Sequence, residues 1–167
     1  MSIRTEPPQF DSTTEGAPFH IVLIEPEIPP NTGSIARLGA ATGAWLHLVK
    51  PLGYTLDDRH LKRAGLDYWP NVRLSVHESA DAIEAILPWD RTWLFTKTAE
   101  HRYTDVQYPL GSVLVFGRES KGLPASWIER YQERTLSIPQ TEHVRSLNIA
   151  QAAAVASYEV IRQNTLL

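Results

Sequence analysis

Apolar residues along this chain fall in short runs, separated by stretches in which they recur at helical spacing. Six runs have strand length: Ile21–Glu25, Trp45–Val49, Val72–His77, Thr92–Lys97, Ser112–Gly117 and Arg134–Pro139. Several are almost wholly apolar, as parallel strands buried on both faces are. The intervening stretches predict helices. Thr32–Thr42 carries Ile35, Leu38 and Ala41 on one side and stops at Gly43, with Asn31 or Thr32 as the expected N-cap. Asp57–Ala64 opens on an acidic cap candidate and stops at Gly65. Ser79–Leu87 ends before Pro88, Pro124–Tyr131 opens on proline, and Leu147–Gln163 is the longest and richest in alanine. Strand–helix alternation of this kind predicts an α/β domain with a mostly parallel six-stranded sheet flanked by helices. Ligands of such sheets bind beyond the strand C-termini.

The chain has 167 residues, which suits one domain. Residues 1–18 hold Pro7, Pro8, Ser12, Thr13, Thr14 and Gly16 and are expected to form a disordered tail, leaving 19–164 as the single folded domain. No run approaches the roughly 18 apolar residues of a membrane span. There is no cysteine, which excludes disulfides, thiolate metal sites and a thiol nucleophile, and fits a cytoplasmic location. The net charge of −3 gives no global signature of nucleic-acid binding, so any RNA contact must rest on local patches. The compact basic face of Arg59, His60, Lys62 and Arg63 is the best such patch, although a bare basic face is more often simply solvated. The six histidines include no pair at metal-ligand spacing, so no metal is expected. The five tryptophans read as core or interface rather than as base-stacking platforms.

Three segments carry more information. In Glu25–Arg37 a buried strand runs into three prolines and then a helix, with Arg37 about one and a half turns in. That arginine is either a solvated residue of a capped helix or a group that reaches the strand ends. In Val113–Pro124 an apolar strand runs straight into Gly117, then Arg118, Glu119, Ser120 and Lys121, then Gly122. This is either a long βα loop or a place where backbone meets a ligand closely. It is neither a dinucleotide fingerprint nor a phosphate-binding loop. In Leu136–Ala150 a strand ends at Pro139, a polar loop follows, and Ser146 stands where an N-cap belongs.

In this order and spacing, these segments resemble the SPOUT superfamily of RNA methyltransferases, and most closely the small TrmL/YibK-type group that acts on the tRNA wobble ribose. The resemblance runs from Phe19 to Gln163. It rests on Glu25 with Pro29-Pro30-Asn31-Thr32-Gly33 and Arg37, on Leu56-Asp57-Asp58 and Arg63-Ala64-Gly65-Leu66-Asp67-Tyr68, on Phe116–Pro124, and on Ile138-Pro139 with Arg145-Ser146-Leu147-Asn148. Ser34, Gln140 and Ala150-Gln151 depart from the pattern, where asparagine, methionine and Ser-Asn are usual, and the N-terminal tail has no counterpart in it.

The resemblance implies a C-terminal deep trefoil knot, which periodicity could not show. It implies S-adenosylmethionine as methyl donor, a homodimer, and a tRNA anticodon stem-loop as partner. The product would be a 2′-O-methylated cytidine or uridine at the wobble position; the alternatives are another tRNA or rRNA nucleotide, or a non-catalytic RNA-binding relative. By the same resemblance Arg37, Ser146 and Asn148 are the expected catalytic residues. Leu94, Thr96, Gly117, Glu119, Gly122, Ile138, Ser146 and Leu147 would line the cofactor pocket, and Arg59, Lys62, Arg63, Arg118 and Arg145 would contact RNA. Guanidinium stays protonated below about pH 12, so Arg37 would hold phosphate and developing oxygen charge rather than act as a base. The small residues Ala150, Ala153, Ala154 and Ser157 of the last helix suit close packing against a partner helix.

Overall fold

The structure is a computed structural model that describes residues 3, 5–7, 10, 17–57, 59–62 (backbone alone at 60 and 62) and 67–167. Among these residues six strands form one sheet: β1 (Phe19–Ile24), β2 (Trp45–Val49), β3 (Arg73–His77), β4 (Thr92–Phe95), β5 (Ser112–Phe116) and β6 (Thr135–Leu136). Every pairing is parallel, and the order is β3-β2-β1-β5-β4-β6. Five helices accompany it: α1 (Pro29–Thr42), α2 (Arg59–Lys62), α3 (Ala80–Glu84), α4 (Ala125–Arg130) and α5 (Ile149–Asn164). The parallel α/β architecture expected from the alternation is the one found.

Both faces of the sheet are covered, which explains the unbroken apolar runs. Phe19, Ile21, Leu23, Leu46, Leu48, Leu114 and Phe116 point to one face and pack beneath Ile35 and Ala36 of α1 and Ala153, Ala156 and Val160 of α5. Val22, Ile24, Val49, Val113 and Val115 point to the other and pack against Ile83 of α3, Leu87 and Trp127 of α4. Side chains alternate across a strand, so each buried strand must be apolar at nearly every position.

Several boundaries differ from the sequence expectation. The first helix starts at Pro29, so Asn31 and Thr32 lie inside its first turn and do not cap it; its N-cap, Ile28, makes no side-chain cap bond. The last strand spans only Thr135–Leu136, paired with Leu94 and Phe95 at the end of β4. Ser137 then exchanges backbone bonds with His101 and Tyr103 instead, at 2.8 and 2.9 Å. Asn148, and not Ser146, caps α5. Of the expected second helix, Arg59–Lys62 is seen, and Asp58 and residues 63–66 lie outside the described residues.

Of the expected tail over 1–18, residues 3, 5–7, 10, 17 and 18 are described, and some of them touch the domain. Phe10 is only 7% exposed and belongs to the second core cluster. The Glu6 backbone donates to Leu74 O and accepts from Ser75 Oγ, and Arg91 donates to Phe10 O at 2.6 Å. Under Phe10 lies a feature that sequence spacing did not reveal. Buried His20, His47 and His77, from β1, β2 and β3, form a ladder, with His20 Nδ1 to His47 Nε2 and His47 Nδ1 to His77 Nε2 both 3.0 Å. Phe10 stacks on His47 with centroids 4.4 Å apart. Among the described residues no cluster of His, Asp or Glu has a geometry that could hold a metal.

Candidate active site

The strand order reverses between β1 and β5, and crevices at such points are where open α/β sheets bind ligands. The loops that leave these two strands are tied together residue by residue. Glu25 ends β1 with a left-handed backbone, φ 48°, a conformation costing a non-glycine residue about 1 kcal/mol. Its carboxylate is ion-paired with Arg118 of the β5 loop. The Glu27 carboxylate accepts from Ser120 N and Ser120 Oγ, at 2.9 and 2.8 Å. Those bonds, the Ser120 hydroxyl first, hold it below the usual carboxylate range.

Glu119 returns the contact. Its carboxylate accepts from Glu27 N at 2.9 Å, Ile28 N at 3.2 Å and Asn31 Nδ2 at 3.4 Å. The approach to the first helix is thus held by a carboxylate 91 residues away from Ile28 in sequence. It satisfies donors that no local side chain reaches, and its charge suits the positive end of the helix.

The two glycines of this loop serve different ends. A Cβ on Gly117 would lie 2.0 Å from the Gly122 carbonyl carbon and 2.1 Å from Leu123 N. The close approach expected at Gly117 therefore occurs within the loop, where Arg118 and Gly122 exchange backbone bonds at 3.0 and 2.8 Å. Gly122 has φ +70° and nothing within 4 Å of a would-be Cβ, so it is glycine for its backbone and faces open space.

Asn31 joins this pair of loops to the third. Its Oδ1 accepts from Asn148 Nδ2 at 3.0 Å, while Asn148 Oδ1 accepts from Ala150 N and Gln151 N at 2.9 and 3.3 Å. A continuous relay of Glu119, Asn31 and Asn148 therefore binds the starts of α1 and α5. The preceding loop is closed by Gln140, whose Oε1 accepts from Leu147 N and whose Nε2 donates to Val144 O and Arg145 O. Lys97 also donates to Arg145 O at 3.0 Å.

Arg37 is exposed, one and a half turns past Asn31, and borders an open groove of about 580 Å³ between α1 and α5 together with Asn31, Ser34, Asn148, Gln151 and Ala154. Its guanidinium carbon lies 5.9 Å from the centroid of the Tyr68 ring. The structure thus brings Arg37 and Asn148 to one groove, while Ser146 stays exposed on the loop before α5. Asn148 makes its bonds as a cap and a brace.

The residues expected around the cofactor fall along one end of the sheet. Leu94, Gly117 and Ile138 lie at or just beyond the ends of the adjacent strands β4, β5 and β6, and Thr96 N donates to Leu136 O there. Glu119 is engaged with the α1 start. Of the others, Ser146 and Val144 are exposed, Thr96, Ile138 and Leu147 are half-buried, and Gly122 faces open space.

Of the cations expected to face RNA, Arg59 and Arg145 are exposed. Arg118 is not free for phosphate, since Glu25 already neutralises it. Arg63 and the Lys62 side chain lie outside the described residues. The small-residue stripe of α5 is also used differently from expectation: Ala153 and Ser157 are fully buried within the chain, and Ala150 and Ala154 line the groove.

The zipper between the two loops was missed in the sequence, though a signal was present. Glu25 and Glu27 stand two apart after one buried strand, and Arg118 and Ser120 stand two apart after another. Only the adjacency of β1 and β5 makes that matching spacing meaningful.

Comparisons with known proteins agree with this geometry. A tRNA (cytidine(34)-2′-O)-methyltransferase of Methylovorus glucosotrophus is 46% identical over 147 residues, covering 87% of this chain and 96% of the relative. One of the same name from Burkholderia cenocepacia is 44% identical, covering 87% and 95%. A chain solved in work on the 2-OH methylation of C/U34 on tRNA is 47% identical, with a TM-score of 0.83 over 88% of this chain and 96% of its own. The Streptomyces viridochromogenes SpoU methyltransferase AviRb shares the fold at 22% identity, with a TM-score of 0.78 over 95% of this chain and 63% of its own. The family profile described as SpoU rRNA Methylase matches residues 18–158, and the chain belongs to that family.

Proposed function

We propose that this protein transfers a methyl group from S-adenosylmethionine to the ribose 2′-oxygen of the wobble nucleotide of a tRNA. Support comes from relatives at 44–46% identity that carry this activity in their names and span nearly the whole chain. The observation that carries the reading is the placement of Arg37 on a groove bordered by Asn31 and Asn148, where the relay from Glu119 orders both helix starts.

S-adenosylmethionine, when bound, supplies a methyl already activated on sulfur. The residues proposed to hold it are Leu94, Thr96, Gly117, Gly122, Ile138, Ser146 and Leu147, with Glu119 shaping the loop by its bonds to the α1 start. The remaining difficulty is the 2′-hydroxyl, a weak acid that must be aligned with the methyl and must give its proton to solvent water as the methyl leaves sulfur for oxygen. Arg37 presents five N–H donors in a fixed fork, suited to gripping the neighbouring phosphate and offsetting charge that develops on oxygen. Ser146 orients the hydroxyl or the polar tail of the cofactor, and Asn148 acts by positioning. Arg59, Lys62, Arg63 and Arg145 hold anticodon phosphates, and Arg118 is withdrawn from that role by its pairing with Glu25. The working unit is a homodimer joined at the face that bears Ala150, Ala154, Val155 and Tyr158; the C-terminal third is threaded as a trefoil knot; and the enzyme works in the cytoplasm, where its tRNA is. No helix among the described residues is long and apolar enough to cross a membrane.

The test is transfer of labelled methyl to unmodified tRNA transcripts, followed by nuclease digestion and mass spectrometry. A 2′-O-methylated wobble cytidine or uridine is the expected product. A methyl elsewhere in tRNA, or on ribosomal RNA as the family description suggests, would replace the target but keep the chemistry. No transfer to any RNA by a folded protein that binds the cofactor would sink the enzymatic reading.

A further inference from the structure

Among the described arginines some are held by a carboxylate, some lie over an aromatic face and some have both. Arg118 and Arg162 are paired with the carboxylates of Glu25 and Glu159, while Arg73 and Arg130 each have a carboxylate, of Glu6 and Glu84, and a ring, of Trp45 and Tyr131. Arg37 instead lies over an aromatic face, that of Tyr68. The distinction has chemical consequences. A carboxylate consumes guanidinium N–H donors and neutralises the charge. A ring attracts the cation through its face and leaves the in-plane donors free.

Tyr68 is itself fixed at several points. Its hydroxyl donates to Gly33 O at 3.1 Å, one turn before Arg37 on the same helix. Its ring stacks on Trp69 at 5.7 Å, and its carbonyl accepts from Asn71 N at 2.9 Å in the turn that leads into β3. Burial raises the phenol pKa, so the hydroxyl stays a donor. The residue thus spans from the α1 backbone to the side chain one turn onward.

We infer that Tyr68 is a positioning residue for methyl transfer: bolted to the Gly33 carbonyl, its ring holds the Arg37 guanidinium in place with its N–H edge turned to the RNA. This rests on the reading of Arg37 given above. It predicts a role for the ring separable from that of the hydroxyl. The hydroxyl sets where the ring sits, and the ring restricts the many rotamers of an exposed arginine, whose freedom would otherwise be lost at each turnover.

The experiment is single-turnover methylation at saturating tRNA and cofactor, with cofactor affinity measured alongside by calorimetry. Tyr68→Leu is expected to slow methylation about tenfold, the size of a partly desolvated cation–ring contact. Cofactor affinity should stay within about twofold, and Tyr68→Phe, which keeps the ring but loses its tie to Gly33, should fall between wild type and Tyr68→Leu. On an Arg37→Ala background Tyr68→Leu should add almost nothing, because the group it positions is gone. A full tenfold further loss on that background would show an independent structural role and overturn the proposal. So would a wild-type rate for Tyr68→Leu beside a slow Arg37→Ala, which would leave the reading of Arg37 intact. A wild-type rate for Arg37→Ala would instead overturn the reading of Arg37 and the proposal with it. Should Tyr68→Leu fail to fold, pentafluorophenylalanine at position 68 keeps the shape of phenylalanine but reverses the ring's electrostatics. It should then be several-fold slower than Tyr68→Phe, and equal rates would overturn the proposal.

Discussion

Asn31 and Asn148, 117 residues apart, meet side chain to side chain at 3.0 Å and join the first turns of α1 and α5. Asn148 uses its oxygen to cap α5 and its amide nitrogen to reach Asn31, while Asn31 uses its own nitrogen to reach Glu119. Each amide group thus has a defined orientation, because only one assignment of N and O satisfies both neighbours.

Substitutions at Asn148 should separate these roles. Asn148→Asp keeps the capping oxygen but loses the donor to Asn31. Its stability should stay close to wild type, while methylation falls at least tenfold. Asn148→Ala loses both and should also cost about 1 kcal/mol of stability through the missing cap. Thermal denaturation and methylation assays on the same samples check the split; equal activity of Asn148→Asp and wild type would show that the bond to Asn31 is dispensable.

The reach of Glu119 to the residues before α1 predicts coupling between loops. Glu119→Ala should cost about 1–2 kcal/mol, since two backbone donors at the α1 start lose their partner. Protection from hydrogen exchange should drop at Glu27 and Ile28. Unchanged exchange there would show that another group takes over.

Gly117 and Gly122 should respond differently to the same methyl. Gly117→Ala forces a Cβ into the backbone of Gly122 and Leu123 and should destabilise by about 3 kcal/mol or more, beyond the usual limit for overpacking. Gly122→Ala carries only the left-handed backbone penalty of about 1 kcal/mol. Denaturant midpoints give the order directly, and a Gly122→Ala loss equal to that of Gly117→Ala would contradict it.

The histidine ladder makes stability depend on acid. Burial, reinforced by Arg73 and Arg91, pulls His20 down to about 4; burial does the same to His77, and His47 is held well below the usual histidine range by burial, its two neighbours and Arg73. All three are therefore neutral in the folded chain at pH 7, and the unfolded chain binds protons more readily, near 6.5. Stability should be constant above about pH 6.5, fall as pH drops from there, and level off near 4 as far as His20 and His77 are concerned. A fully protonated ladder has no acceptor nitrogen left, so both ring–ring bonds break together. Phe10→Ala should destabilise the chain and shrink this dependence by wetting His47. A flat melting temperature between pH 7 and 4.5 would refute the account.

RNA contacts should reveal themselves through salt. Arg59→Ala and Arg145→Ala should raise the apparent KM for tRNA and flatten its salt dependence, with little change in single-turnover rate. Arg118→Ala should behave otherwise: it frees Glu25 at a strained corner, so stability rather than salt dependence should change.

The sequence by itself determined the layered α/β plan. Runs such as Ile21–Ile24 and Val113–Phe116 are apolar at every position, and only burial on both faces explains that. It also placed the strand-end loops that build the site, since strand and helix boundaries follow local composition to within a few residues. Tertiary structure alone decided who caps what. Asn31, Thr32 and Ser146 have the right chemistry for local caps, yet Asn148 caps α5, and Glu119 holds the two amides that lead into α1, because each bond depends on which oxygen lies within about 3 Å of the amide. The same holds for Arg118, which composition marks as a cation and Glu25 neutralises, and for the histidines, scattered over 58 positions from His20 to His77 and aligned only by strand register. Local patterns report the periodicity of burial, whereas a hydrogen bond or ion pair between distant residues requires the distance that only the folded chain sets.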